Sequence, residues 1–443
     1  MPGPYVVPFH GDADLPEKVD VVVIGGGAIG ASTALELVER GLKVALCEKG
    51  GIGHEQSSRN WGWVRISRRD PREVPLMVEA IRIWEHQAER LGRDVGYKRT
   101  GIMFTCADDK EYARHADWIK HLDGYQIETR MLDQREFDAI CPGGHLPIKG
   151  ALYTPIDGRA EPQKVAPAVA EAARDRGAHV LTECAVRGID TKGGKVCGVF
   201  TERGYIGCDA AVLAGGAWSS LLARNTGLRL PQLKVVNSVI RTRPLDGGPE
   251  AAIWSNGFAI RKRQDGGYTI ANGFENIVDI VPDSFRFFRD FLPALGHEWR
   301  ALRLRGSFRF LDEARIPSRW KMDEASPFEY CRVLDPKPSF SLQDQALRNL
   351  RKAYPVFEKA EIAQRWAGAI DATPDAVPVI SGVDTVPGFY IATGFSGHGF
   401  GISPGAGRLM ADIVTGQTPC VDPTPFRFSR FSDGTKMEII SGV

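Results

Sequence analysis

VVVIGGGAIGASTALELVERGLKVALCEK, residues 21–49, is the stretch that decides the fold. Val21–Ile24 is an apolar run of the length of one buried strand, and Gly25-Gly26-Gly27-Ala28-Ile29-Gly30 follows it directly. Residues 29–40 then read as a helix, with Ala31, Ala34, Leu35 and Leu37 as its apolar positions and Gly41 after its end. A second strand, residues 43–47, closes in Glu48. Strand, glycine turn, helix, strand and terminal acid together make the β-α-β unit that a G-x-G-x-x-G motif needs before it implies a dinucleotide site. Each residue has a physical task there. Gly25 permits the tight turn, Gly27 lets backbone approach a pyrophosphate, and Gly30 lets the helix pack against the strand. The N–H groups at the helix start, from Ala28 and Ile29 onward, face the phosphates. Glu48 accepts hydrogen bonds from ribose hydroxyls and repels a 2′-phosphate, which argues against NADP. The motif alone does not separate NAD from FAD.

The composition narrows the function class. The chain has 443 residues, 43% apolar and 25% charged, enough for two domains with sizeable cores. Its 56 basic and 55 acidic side chains leave a formal charge of +1, so nucleic acid and anionic membrane have no electrostatic case as main partners. No run approaches ~20 apolar residues, so no transmembrane segment is expected. The first residues lack the basic start and apolar core of a secretory signal, which points to a cytoplasmic protein. The eight cysteines are scattered without a C-x-x-C pair. No metal site is expected, and the thiols read as small buried residues.

Beyond the first unit, residues 55–69 (EQSSRNWGWVRISRR) form a polar loop containing glycine. Met77, Ile81, Trp84, Ala88 and Leu91 share one helical face that ends at Gly92. Further helices are expected over 110–122, from Glu161-Pro162 toward Arg176 with Pro167 bending it, and over 342–354 before Pro355. Strands alternate through 180–208, and a largely apolar strand over 209–214 (DAAVLA) leads into Gly215-Gly216-Ala217-Trp218. From 235 to 310 the pattern is strands and turns, such as Asp265-Gly266-Gly267, and reads as a mainly antiparallel sheet. The last third returns to the first style, with a strand at 389–392 and a glycine-rich turn. A helix follows, with Ser403 as its cap, Pro404 at its first position and Gly416 at its end.

Several of these stretches in order resemble the D-amino-acid oxidase-like flavoenzyme superfamily, in the branch with glycine oxidase, sarcosine oxidase and D-amino-acid dehydrogenases. They are the opening β-α-β unit, SSRNWGWVR, DGRAEPQKVAPAVAEAARDRGA, AVLAGGAWS, and WAGAIDATPDAVPVI with ATGFSGHGFGISPGAG. The resemblance implies a two-domain flavoenzyme of the glutathione-reductase type. An α/β FAD-binding Rossmann-type domain would be built from 15–75, 155–230 and 356–425. An α+β substrate domain with a mainly antiparallel sheet would come from 76–154 and 231–355, and 426–443 would be a tail. It implies that Gly25, Gly27, Ala28, Ile29, Gly30, Glu48 and Lys49 hold the ADP half of FAD. Ser58, Arg59, Asn60 and Trp61 would pass along the pyrophosphate and flavin edge, Asn60 serving alternatively to cap a turn. Val186 would touch adenine through its backbone, and Gly215 and Trp218 would lie near the ribityl chain. Gly394, Gly397, His398, Gly399 and Phe400 would line the flavin, His398 being a catalytic candidate too and also open to a structural reading. FAD is expected to be non-covalent, because residues 368–374 contain no cysteine; His54 is the alternative attachment point.

The implied chemistry is hydride transfer from a carbon bearing nitrogen, giving an imine that water hydrolyses. The substrate is then a small amino acid or amine. Arg65 is the leading clamp for its carboxylate and Trp61 and Trp63 the leading walls, with Arg261 and Tyr268 behind them. In D-amino-acid dehydrogenases the stretch W-x-G-L-R-P carries a clamping arginine, where this chain has Ile370 followed by Asp371. An acid facing the site favours a substrate with a basic side chain. The electron acceptor is O2 or a quinone or carrier. No lysine lies in 268–282, where some sarcosine oxidases place an oxygen-activating one, which leaves Lys234 as a lysine to reach the cofactor. Oxidation of an N-methyl amine or a 2-hydroxy acid, a non-catalytic FAD scaffold, and a homo-oligomer all remain open at this level.

Overall fold

The computed structural model describes residues 3–299 and 301–440. Val21–Ile24 is a strand whose four residues are all buried, as a strand covered on both faces requires. It lies between Ala210–Leu213 and Val44–Cys47 in a six-stranded sheet. The order continues to His179–Leu181 on one side and to Phe389–Thr393 and Val379–Gly382 on the other. All its pairings are parallel except Val379–Gly382 with Phe389–Thr393. One sheet therefore gathers strands from three separated stretches of chain. Helices Ala28–Glu39, Pro162–Asp175, Gly399–Thr415 and Val74–Glu85 pack together beside it in the largest apolar core.

The second large sheet has ten strands. It runs from Leu302–Arg305 and Asn276–Asp279 through Leu233–Thr242, Tyr268–Ala271, Phe258–Lys262 and Ala252–Ser255 to Ile102–Cys106, Gly150–Thr154 and Arg130–Leu132. Two of its pairings are parallel, at Asn276–Asp279 with Leu302–Arg305 and at Ala252–Ser255 with Ile102–Cys106. The others are antiparallel. The tenth strand, Ile362–Ala372, pairs with Leu233–Thr242 along its whole length, Leu233 opposite Ala372 and Thr242 opposite Ile362. It is followed directly by the chain that re-enters the parallel sheet, so the two sheets are joined where Asp371 sits. Smaller three-stranded sheets are formed by 186–207 and by Trp63–Val64 with Gly158–Arg159 and Lys98–Arg99.

Three local expectations change. The helix expected to end at Gly92 breaks at His86 into Val74–Glu85 and Gln87–Leu91, with Gly92 left-handed at its end (φ 64°). Residues 282–298 are not strands but the helices Pro282–Arg286 and Phe288–Glu298, the first started by Pro282 and by Ser284 accepting the Val281 N–H. The last helix starts at Gly399 instead of Ser403, so Pro404 lies inside it. Among the described residues no helix is long and apolar enough to cross a membrane.

Candidate functional site

A cleft enclosing about 1200 Å³, open solvent at its mouth included, crosses the carboxyl ends of the parallel strands, where ligands of open α/β sheets bind. Ile24, Cys47, Leu213 and Thr393 end those strands at its wall. The glycines leave room where a side chain would close it. Gly25 has φ 111°, and a Cβ there would strike the Ala214 carbonyl. A Cβ at Gly27 would come within 3.0 Å of the Ser57 hydroxyl, and one at Gly30 would strike the Gly25 carbonyl. Gly27 gives the first helix no side-chain cap, while Ser57 Oγ accepts the Ala28 N–H at 2.8 Å. The remaining N–H groups of that helix start suit a phosphate. The Glu48 carboxylate accepts from Gly26 N (2.7 Å) and Gly50 N (2.8 Å), which aims it along the cleft. Burial raises its pKa, against the pull of Lys49. Lys49 itself is held by Glu55 (2.7 Å) and lies 4.6 Å over the Trp218 ring, whose Nε1 donates to Glu55. Gln56 Oε1 is buried and accepts from no donor among the described residues. A glycine cradle, an acid at the end of the second strand and an open acceptor are the donor and acceptor set that an extended FAD needs.

A second cavity of about 820 Å³ adjoins the first, and Gln56, Asn60, Gly397 and Phe400 line both. Its walls are Trp61, Trp63 and Trp254, packed edge to face with centroids 5.0–5.8 Å apart. Trp61 Nε1 donates to Asn237 Oδ1 at 2.9 Å, whereas Trp63 Nε1 is buried with no acceptor among the described residues. Arg65 also lines this cavity. It is 9% exposed, donates to the Ser67 carbonyl, and ion-pairs with no carboxylate among the described residues. Burial, then Arg69 and Arg68, push its pKa down to about 9. The loop carrying it is fixed from below. Asp157 accepts from Ile66 N (2.7 Å) and from the Ser67 amide and hydroxyl, and burial lifts its pKa to about 6. His398 completes the wall. Its Nδ1 lies 3.3 Å from Glu73, its carbonyl accepts from Arg69 Nη2 at 3.0 Å, and Arg69 Nη1 donates to Glu73 at 2.8 Å. Burial opposes ionisation of Glu73, but His398 and Arg69 bring its pKa down to about 2.

Thirteen of the residues expected at the cofactor line the first cleft: Gly25, Gly27, Ala28, Ile29, Glu48, Lys49, Asn60, Val186, Gly215, Trp218, Gly397, Gly399 and Phe400. Asn60 also caps its turn, accepting from Gly62 N and donating to the Gln56 and Ser57 carbonyls. Ser58 and Arg59 lie behind the wall. Ser58 Oγ donates to the Glu55 carbonyl, and Arg59 is buried against Asp335 and the Ala367 carbonyl. Gly30 packs helix on turn, and Gly394 N donates to Asp371. Two residues given to the substrate are elsewhere. Arg261 is 1% exposed and ion-paired with Glu161 at 2.8 Å, behind Gly62 and at neither cavity. Asp371 faces the first cleft, with Oδ2 accepting from Gly394 N at 2.8 Å, while Ile370 faces the second. Neighbours on a strand point to opposite faces, so only one of the pair reaches the substrate side. Among the described residues the wall of the second cavity has no carboxylate, which removes the ground for a basic substrate side chain. Tyr268 donates to the Pro249 carbonyl, and Lys234 pairs with Glu313 at 3.1 Å. Trp254, Asn237, Phe274 and Asn276 also line the second cavity and carry no motif; they come from the ten-stranded sheet or the turn beside it. Glu73 had one signal, its i,i+4 spacing from Arg69.

A family model described as FAD dependent oxidoreductase matches residues 20–413. L-amino acid deaminase from Proteus myxofaciens, solved in complex with anthranilate, has a TM-score of 0.94 and 34% identity to this chain over 98% of each. The β subunit of sarcosine oxidase from Arthrobacter sp is 26% identical over 429 residues, covering 94% of this chain and 92% of that protein. Glycine oxidase from Pseudomonas aeruginosa is 27% identical, covering 92% and 97%. The chain belongs to the FAD dependent oxidoreductase family and is an enzyme whose cofactor is FAD.

Proposed function

We propose that the chain uses FAD to oxidise the C–N bond of an α-amino acid with an apolar or aromatic side chain. The imino acid formed is hydrolysed by water to a keto acid and ammonia. The observation that carries this reading is Arg65, a buried guanidinium without a carboxylate partner among the described residues, in a cavity walled by three tryptophans. A substrate carboxylate supplies the missing partner, and the indoles accept an apolar or aromatic body. Relatives named for the deamination or oxidation of L-amino acids, sarcosine and glycine support C–N chemistry.

Gly25, Gly27, Ala28 and Glu48 would hold the ADP half of FAD, and Gly397 and Phe400 the end shared with the second cavity. Bound there, FAD supplies the hydride acceptor. The chain's own contribution is to orient the substrate and exclude water around it. In this reading 15–75, 155–230 and 356–425 bind the cofactor, while 76–154 and 231–355 supply the far wall of the substrate site; Trp254 and Asn237 support the second assignment. FAD is held without a covalent bond, so acid precipitation releases it into the supernatant.

Anaerobic mixing of the purified flavoprotein with D- and L-amino acids, N-methyl amines and 2-hydroxy acids tests the proposal. Loss of flavin absorbance is expected first and fastest with apolar or aromatic amino acids. Bleaching by lysine and arginine in preference to these, or by hydroxy acids alone, overturns it. N-methyl amino acids are the second reading, favoured by the sarcosine oxidase relatives, and would place the same carboxylate on Arg65.

A further inference from the structure

The geometry around His398 points to a proton acceptor for the substrate that no motif assigns. An amino acid enters as an ammonium, and its nitrogen must give up a proton before the carbon beside it can lose a hydride. Within the second cavity the groups able to take that proton are few, because its wall carries no carboxylate among the described residues. His398 is in that wall, at the residue preceding the helix Gly399–Thr415. Its Nδ1 faces both Glu73 oxygens, at 3.3 and 3.4 Å. Glu73 is fully buried, is held by Arg69 at 2.8 Å, and stays ionised. An ionised carboxylate only accepts, so Nδ1 carries the proton and the Nε2 lone pair is left for the cavity.

We propose that His398 Nε2 takes the proton from the substrate ammonium, and that Glu73 is the positioning residue that sets the tautomer and balances the imidazolium. The proposal rests on the carboxylate clamp at Arg65 described above. In the step an N–H bond of the ammonium breaks and its electron pair stays on nitrogen. The proton passes to Nε2, so the positive charge moves from the substrate onto a ring already paired with Glu73. The charged groups that face His398 are Glu73, Arg65 and Arg69. Burial and the two arginines disfavour the imidazolium, and Glu73 favours it. A substrate carboxylate on Arg65 cancels one of those opposing charges, so the substrate that brings the proton also makes the base stronger.

The test uses the holoenzyme and two probes. α-Methylphenylalanine, in each enantiomer, carries the ammonium but no hydrogen on Cα and is not oxidised; 3-phenylpropanoate lacks the amine. Binding is read from the perturbed flavin spectrum across pH. For wild type, α-methylphenylalanine should bind about tenfold more weakly for each pH unit below the His398 pKa, and 3-phenylpropanoate should not weaken. In His398→Gln, which leaves the Glu73–Arg69 pair in place, this acid limb should vanish. Turnover of phenylalanine by that variant should fall by ~10²–10⁴-fold, the usual worth of a general base, and recover as pH approaches the pKa of the substrate amine. In Glu73→Gln the limb should move to lower pH. The same limb in His398→Gln, no limb in wild type, or no recovery at high pH overturns the assignment. If 3-phenylpropanoate fails to bind, or binds Arg65→Met as well as wild type, the carboxylate clamp has failed instead.

Discussion

Arg65 shows how a single residue can cost the fold something and still belong there. A buried cation without a carboxylate is destabilising until a ligand supplies the anion. Here Arg69 and Arg68 add to the cost, and the more distant Asp157 and Glu73 offset it only in part. Replacing Arg65 by Met keeps most of the volume and removes the charge. Arg65→Met is therefore expected to unfold at equal or higher denaturant than wild type. Its kcat/KM for amino acids should fall by an amount equivalent to about 2–5 kcal/mol, roughly 30-fold to several thousand-fold. Chemical denaturation and steady-state kinetics on the same preparation check this. A variant that loses stability and activity together would make Arg65 a structural residue. Asp371 teaches the opposite lesson. Its position one residue from Ile370 makes it look like a substrate contact in the sequence, but strand alternation turns it toward the Gly394 amide.

The helices show which parts of the architecture the sequence states openly. The residues of the opening unit act locally: each glycine answers a turn or a contact within its own β-α-β element, so they could be read in order. Ser403-Pro404 also looks local, as a cap and first position, yet both residues lie inside the helix Gly399–Thr415. Pro404 has no N–H for the Phe400 carbonyl four residues back, and Ser403 Oγ donates to that carbonyl at 2.9 Å instead. Pro167 has the same defect in Pro162–Asp175, and there the Gln163 carbonyl is satisfied by Val7 N at 3.1 Å, from a segment more than a hundred residues away. The first repair is visible in the sequence once the helix start is known; the second depends on tertiary placement. Ser403→Ala should leave the Phe400 carbonyl buried without a donor and cost about 1–3 kcal/mol. Denaturant midpoints at constant slope measure it, and an unchanged midpoint would show that the helix start relaxes to find another donor. The far wall of the second cavity belongs to the same class as Val7. Trp254 and Asn237 face Trp61 only because the ten-stranded sheet brings them there, and period-2 alternation says which face they occupy, not what they meet.

At the scale of the whole molecule, two buried acids give stability opposite dependences on pH. Glu73 has its pKa brought from 4.5 to about 2 by His398 and Arg69. The folded state binds that proton more weakly than the unfolded state, so its stabilising contribution is full above about 4.5 and is lost as pH falls toward 2. Asp157 is the reverse. Burial raises its pKa from 3.8 to about 6 despite the Ser67 and Ile66 donors, so its cost to stability builds as pH rises from 3.8 to about 6 and is full above that. The two windows scarcely overlap. Each shift exceeds two pH units, and at about 1.4 kcal/mol per unit either effect is on the order of 3 kcal/mol, a large part of ordinary domain stability. On these two groups the stability maximum falls where the two windows meet, at about pH 4 to 4.5, instead of at neutrality. The pair makes a discriminating experiment because both acids support the substrate cavity from below, Asp157 through the Arg65 loop and Glu73 through His398. In Asp157→Asn the gain in stability on going from pH 7 to pH 4.5 should shrink, while the loss below pH 4.5 should remain. In Glu73→Gln the gain should remain and the loss below pH 4.5 should become shallower. Denaturant unfolding of wild type and both variants at pH 3, 4.5, 6 and 7 measures the slopes. Identical slopes in all three proteins would place the pH dependence in the surface charges instead of the two acids beneath the site.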